Sequence, residues 1–172
     1  MIAGNSAHHD TETKTTIEVL RSLGKRCLEL ESESEAHETK IATIVRTWRP
    51  DLLEQLGVGP IVAATILCSW SHSGRFRSEG AFASLAGVAP VPASSGMTVR
   101  HRLNRRGDRQ LNRAFHVIVI NRLRYDKATR TYVERRRAEG KSDREIKRCL
   151  KRYVARQLFR QLETGPKGLD EL

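Results

Sequence analysis

Between about Thr11 and Trp48 the apolar residues recur at steps of three and four: Leu20, Leu23, Cys27 and Leu30, then Ile41, Ile44 and Trp48. Ser34 and His37 fall at the same phase, and the acidic run between Glu29 and Glu38 occupies mostly the other faces. A seam of this period predicts one long helix that pairs in a coiled coil, with polar seam positions that set register and partner number. The same stripe also suits an amphipathic helix packed on its own domain. Residues 1–10 carry no such period and are expected to be a disordered leader.

Pro50 restarts the pattern. In DLLEQLGVGPIVAATIL (residues 51–67) a short helix is expected to end at Leu56. A Gly57-Val58-Gly59 turn follows, and Pro60 opens a second helix at a favoured first-turn position. The expected inward positions are Leu53, Leu56, Val58, Ile61, Ala64 and Leu67. Two glycines beside a helix N-terminus can expose backbone amides to a phosphate oxygen without reading base sequence. The pattern resembles a helix-hairpin-helix DNA-binding motif; a plain helical hairpin with a glycine cap is the alternative.

Further on, Ser78 suits an N-cap for a short helix that Gly87 stops. Pro90 and Pro92 break any helix, so residues 88–103 are expected to be extended, with room for one small β-hairpin. Asp108 can cap a helix whose apolar face is Leu111, Phe115, Ile118 and Val119. Another helix is expected over residues 129–138, ending near Gly140. Ser142 and Glu145 have the spacing of a capping box and open the last helix. Its expected core face is Ile146, Cys149, Leu150, Tyr153, Val154 and Leu158. The fold class is therefore mainly α, a long coiled-coil helix (11–49) followed by a compact helical domain (50–162) and a frayed tail (163–172).

Charge changes this picture. The chain of 172 residues has a net charge of +11, and residues 99–160 alone hold 21 basic and 6 acidic residues. Such concentration is expected of a nucleic-acid-binding surface. Cys27, Cys68 and Cys149 are far apart, without metal-ligand spacing, and are expected to be buried thiols in a reducing compartment. No apolar run approaches transmembrane length, so no membrane partner is expected and a cytoplasmic, nucleoid-associated protein is. The most suggestive stretch is PVPASSGMTVRHRLNRRGDRQLNRA, residues 90–114. A hydroxyl-bearing turn is followed there by Arg100, Arg102, Arg105, Arg106, Arg109 and Arg113, as suits a nucleophile held against a phosphate backbone. A polar loop leading into a solvated basic helix is the bland alternative.

Taken in order, these pieces resemble the C-terminal half of the DEDD-type transposases of bacterial insertion sequences, family one-ten, which are bridge-RNA-guided recombinases. The resemblance covers about Leu20 to Leu162 and is most specific over FASLAGVAPVPASSG (residues 82–96) and RRGDRQLNRA (residues 105–114). It implies a nucleophilic serine immediately before the glycine of a Ser-Gly pair, hence Ser95 and not Ser94. It implies attack on a DNA phosphodiester, a transient phosphoserine link, a homo-oligomer through the coiled coil, and a structured guide RNA as a further partner. Gly57, Val58, Gly59 and the six arginines would hold the backbone.

In that family a RuvC-like domain carries four metal-binding carboxylates. No such pattern precedes the coiled coil here, so no metal ligand and no cofactor is assigned to this chain. Magnesium is expected only with a RuvC-like domain supplied elsewhere. The expectation is a truncated or split form that binds nucleic acid but is inactive alone. A non-catalytic dimeric binding module, with Ser95 only a loop residue, is the competing reading, and a remnant without function is a third.

Overall fold

The computed structural model describes residues 4–92, 101, 102, 104 and 107–165. Its elements are α1 (Gly4–Trp48), α2 (Pro50–Leu53), α3 (Pro60–Trp70), α4 (Glu79–Leu85), β1 (Val91–Pro92), β2 (His101–Arg102), α5 (Arg109–Tyr125), α6 (Lys127–Ala138) and α7 (Asp143–Thr164). The chain is mainly α, as its periodicity predicts. β1 and β2 form one short antiparallel pair, Val91 opposite Arg102 and Pro92 opposite His101. None of the described helices is long and apolar enough to cross a membrane.

The chain divides into two compact units, residues 1–40 and 41–172. The first is helical from Gly4 rather than from Thr11: it has no proline, and Gly4 stands at the first helical position. Every described side chain in it is exposed, including Leu20, Leu23 and Leu30 of the seam. Cys27 is exposed with them, and so is Cys68, while Cys149 is half-buried, so the expectation of three buried thiols is wrong. Cys27 follows the exposed seam. Cys68 projects away from Ala63 and Ile66, the residues that α3 buries.

The second unit is built around Phe82 of α4, whose ring meets Phe76, Phe115 and Phe159 at centroid distances of 5.3, 5.9 and 5.8 Å. The faces of α5 (Leu111, Phe115, Ile118, Val119) and α7 (Ile146, Leu150, Val154, Leu158) close over it. α5 matches its predicted apolar face. On α7, Tyr153 is exposed and Cys149 half-buried, whereas Ala155 and Leu162 are buried. Tyr153 instead stands edge-on to Tyr132 of α6, 5.8 Å between centroids, outside the main core. The expected phase of α3 also fails. Leu56 and Ile61 are exposed, and Leu52, Val58, Ala63 and Ile66 point inward. PIVAATILCSW is apolar almost all round, so its period cannot choose a face.

The caps follow the sequence. Ser78 Oγ accepts from the Ala81 amide, and Asp108 Oδ1 accepts from the amides of Gln110 and Leu111. The Ser142 amide donates to Glu145 Oε2 at 2.9 Å. α6 begins two residues earlier than its periodicity predicts, because Asp126 caps it through the amides of Ala128 and Thr129. The link between the two ends of the domain is Arg49, only 4% exposed. It donates to both Asp51 oxygens at 2.8 Å and to the carbonyls of Leu162 and Gln161 at 3.2 and 2.9 Å. A buried guanidinium thus sits at the negative end of the α7 dipole, on the Leu162 carbonyl and on that of Gln161, which also accepts from the Gly165 amide.

Candidate nucleic-acid interface

Ser95, Arg100, Arg105 and Arg106 lie outside the described residues, and of Arg102 only its place in β2 is described. The two ends of that stretch, however, are held tightly. Gly87 has φ +66°, the left-handed region that favours glycine. A Cβ on Gly107 would lie 2.3 Å from the Gly87 nitrogen, so the two backbones can meet only because both residues are glycine. The Asp108 amide donates to the Leu85 carbonyl at 2.6 Å. Asn112 Nδ2 donates to the Ala86 carbonyl at 2.7 Å, and Asn104 Nδ2 to that of Ser84 at 3.2 Å. Departure and return of the stretch are thereby fixed to α4 and α5.

This fixed base borders a cleft of about 770 Å³. One wall is Gly87, Val88, Ala89 and Pro90, the segment that leads into Ser95. Asn104 adds to that side, and the rest comes from α6, α7 and the turn between them, which bring Arg135, Arg136, Lys141, Arg148, Lys151, Arg152 and Arg156 to one place. The single carboxylate among the lining residues is Glu145, whose Oε2 is occupied by the Ser142 amide and hydroxyl. Lys151 Nζ donates to Asn112 Oδ1 at 2.8 Å, so the side chain that fastens α5 to Ala86 also aims a lysine. Burial, and then the charge of Arg148, hold the Lys151 ammonium below its ordinary value. His116 on α5 is lowered by burial and by the charges of Lys151 and Lys147. In both cases burial is the larger cause, and the smaller contribution, from neighbouring cations, is one that an incoming polyanion would relieve.

Sequence reasoning places the cations elsewhere. Arg109 and Arg113 are exposed on α5 and are not among the residues that line the cleft. The seven that do are absent from the sequence-based assignment, although Arg148, Arg152 and Arg156 repeat at four-residue spacing on one helix. That spacing is the available signal, because it puts them on one face of the helix whose opposite side is core.

The glycine turn is a mixed case. Gly57 has φ +87°, and a Cβ there would come within 2.9 Å of Asn121 Cβ and 3.1 Å of the Ile118 backbone on α5. Its glycine is thus required by packing. The Val58 amide donates to the Gln55 carbonyl at 3.0 Å, inside the turn. Gly59, the N-cap of α3, is exposed, with no heavy atom within 4 Å of where a Cβ would stand. Of the three, Gly59 offers the open backbone. Among the described residues no three His, Cys, Asp or Glu side chains converge to hold a metal.

The chain is similar to known insertion-element proteins. Residues 51–134 match the family described as Transposase IS116/IS110/IS902. The chain is 31% identical over 150 residues to the insertion element IS110 uncharacterized 43.6 kDa protein of Streptomyces coelicolor, covering 86% of this chain and 37% of that protein. It is 33% identical over 127 residues to the insertion element IS900 uncharacterized 42 kDa protein of Mycobacterium paratuberculosis, covering 72% and 32%. The insertion element IS116 uncharacterized 44.8 kDa protein of Streptomyces clavuligerus is 26% identical over 130 residues, covering 74% and 33%. The chain spans about a third of the length of these relatives.

Proposed function

The chain carries the transposase domain of the IS116/IS110/IS902 family, and from that premise we propose that it grips a DNA backbone in the cleft beside residues 87–90 and presents Ser95 to a phosphodiester there. The observation that carries the reading is the shared wall: the segment entering Ser95 lines the same cleft as seven arginine and lysine side chains. Phosphate contacts of this kind position a duplex without reading it.

The chemistry assigned to Ser95 is nucleophilic displacement at phosphorus. The Oγ–P bond forms as the bond from phosphorus to the leaving deoxyribose oxygen breaks. The serine proton passes to a base, and the leaving oxygen gains one. A serine hydroxyl is a weak nucleophile, and cations around the phosphate stabilise the charge that develops in the transition state. Arg148, Lys151 and the arginines of residues 100–106 are the groups assigned to that work. Gly59 and the first turn of α3 are assigned a second backbone contact, as a helix-hairpin-helix motif would make.

A second copy of the chain is the partner proposed for the exposed seam of Leu20, Leu23 and Leu30. A structured guide RNA is a further proposed partner, and the bacterial nucleoid the proposed place of work. The experiment is Ser95→Ala in a strand-transfer reaction supplemented with a full-length relative. The reading expects loss of the covalent protein–DNA adduct formed by this chain, with duplex binding unchanged. An undiminished adduct removes Ser95 from the chemistry and leaves the chain as a binding module.

A further inference from the structure

One carboxylate in the domain faces three cations. Glu79, the first residue of α4, lies 2.7 Å through Oε1 from Arg156 Nε, 4.0 Å from Arg152 NH2, and 3.5 Å through Oε2 from Arg160 NH2. The Glu79 carbonyl also accepts from Arg152 NH1 at 3.2 Å. Residues 152, 156 and 160 repeat at four-residue spacing, so the three guanidinium groups stand in a row along α7. Arg152 and Arg156 line the basic cleft, and Glu79 does not. The Arg160 side chain is 70% exposed, while that of Glu79 is 28% exposed.

We propose that Glu79 is an internal competitor for phosphate: its carboxylate occupies the Arg152–Arg156–Arg160 row and thereby limits how tightly the domain holds nucleic acid without regard to sequence. Here one carboxylate is spread over three cations, and its closest contact, to Arg156 Nε, lacks hydrogen-bond alignment, since that nitrogen has no hydrogen-bond partner. Arg160 remains largely open to solvent. A backbone phosphate reaching Arg160, the most exposed of the three, therefore competes with Glu79 for that guanidinium while Arg152 stays beside the carboxylate. A transposase that must release its product gains from such a brake, because phosphate contacts account for nearly all non-specific affinity.

This inference rests on the reading of the cleft as a DNA-backbone site, and the test separates the two. Binding of a random-sequence 30-mer duplex is titrated across salt concentrations for the parent chain, Glu79→Gln and Glu79→Asp. Circular dichroism checks the helical content of each. Glu79→Gln is expected to bind on the order of threefold to tenfold more tightly at about 0.1 M salt, with the magnitude of the salt slope larger by about 0.9 for each further phosphate neutralised. Glu79→Asp keeps the charge at the start of α4 but shortens its reach, and is expected to fall between. It decides the question if Glu79→Gln does not fold. A parent that binds with a steep salt slope, together with variants whose affinity and slope match or fall below it, overturns the brake and leaves the cleft reading intact. Absence of salt-dependent binding by parent and variants alike overturns both.

Discussion

Arg49 shows how one buried side chain can decide stability. It joins Asp51, which follows α1, to the last turn of α7 through four hydrogen bonds. Arg49→Ala leaves the carboxylate and both carbonyls without this donor and is expected to destabilise the domain by about 3–5 kcal/mol, read from denaturant unfolding. The hydrogen bond from Arg49 holds the Asp51 carboxyl below its ordinary value. A carboxyl lowered in the folded state contributes stability above its unfolded value of about 3.9, and that contribution is lost as pH falls through the lower folded value. Asp51→Asn should therefore cost stability at neutral pH and flatten the acid limb of the stability curve. The glycine pair makes a separate prediction. Gly107→Ala drives a Cβ into the Gly87 backbone and is expected to cost about 2–4 kcal/mol. His116, exposed on α5 and outside the cleft lining, supplies a probe of the charge of Lys151 at the cleft's edge. Its imidazole is lowered in part by Lys151 and Lys147, so saturating duplex should raise its pKa in an NMR titration.

Among the elements, those with a strong local signal are legible in the sequence. Asp108, Ser78 and the Ser142–Glu145 pair start their helices where capping chemistry says they should. α5 buries the face that its 3.6-residue period selects. The phase of α3 is not legible, because a helix apolar on every side carries no moment to read and takes its orientation from packing, chiefly on α5. Spacing assigns Tyr153 to the core, but its ring packs on Tyr132, a partner from another helix that spacing on α7 cannot reveal. Beyond the four-residue spacing of Arg148, Arg152 and Arg156, the cleft is not legible in the sequence for a related reason. Its cations come from α6, α7 and their turn, while its other wall comes from residues 87–90, and only tertiary packing brings these together. The need for Gly107 is hidden in the same way, since its reason is the backbone of Gly87. α4 and α7 meet through Phe82 as well as through Glu79. Phe82→Ala, which empties the centre of this packing, is expected to cost about 3–5 kcal/mol.

For the molecule as a whole, residues 99–160 hold the excess of positive charge, the chain matches a transposase family, and seven of its basic side chains line one cleft. The central claim is that this cleft, and not the basic surface at large, holds the DNA backbone. The most direct measurement is the salt dependence of duplex binding for the parent chain and for a variant with Arg135→Gln, Lys141→Gln and Arg148→Gln together. These three line the cleft and make no ion pair to Glu79. The variant is expected to bind more weakly, with a slope reduced by about 0.9 for each phosphate no longer neutralised, up to about 2.7 for all three. A variant that keeps its helical content and shows the parent's affinity and slope would contradict it, and would move the interface to another face of the domain.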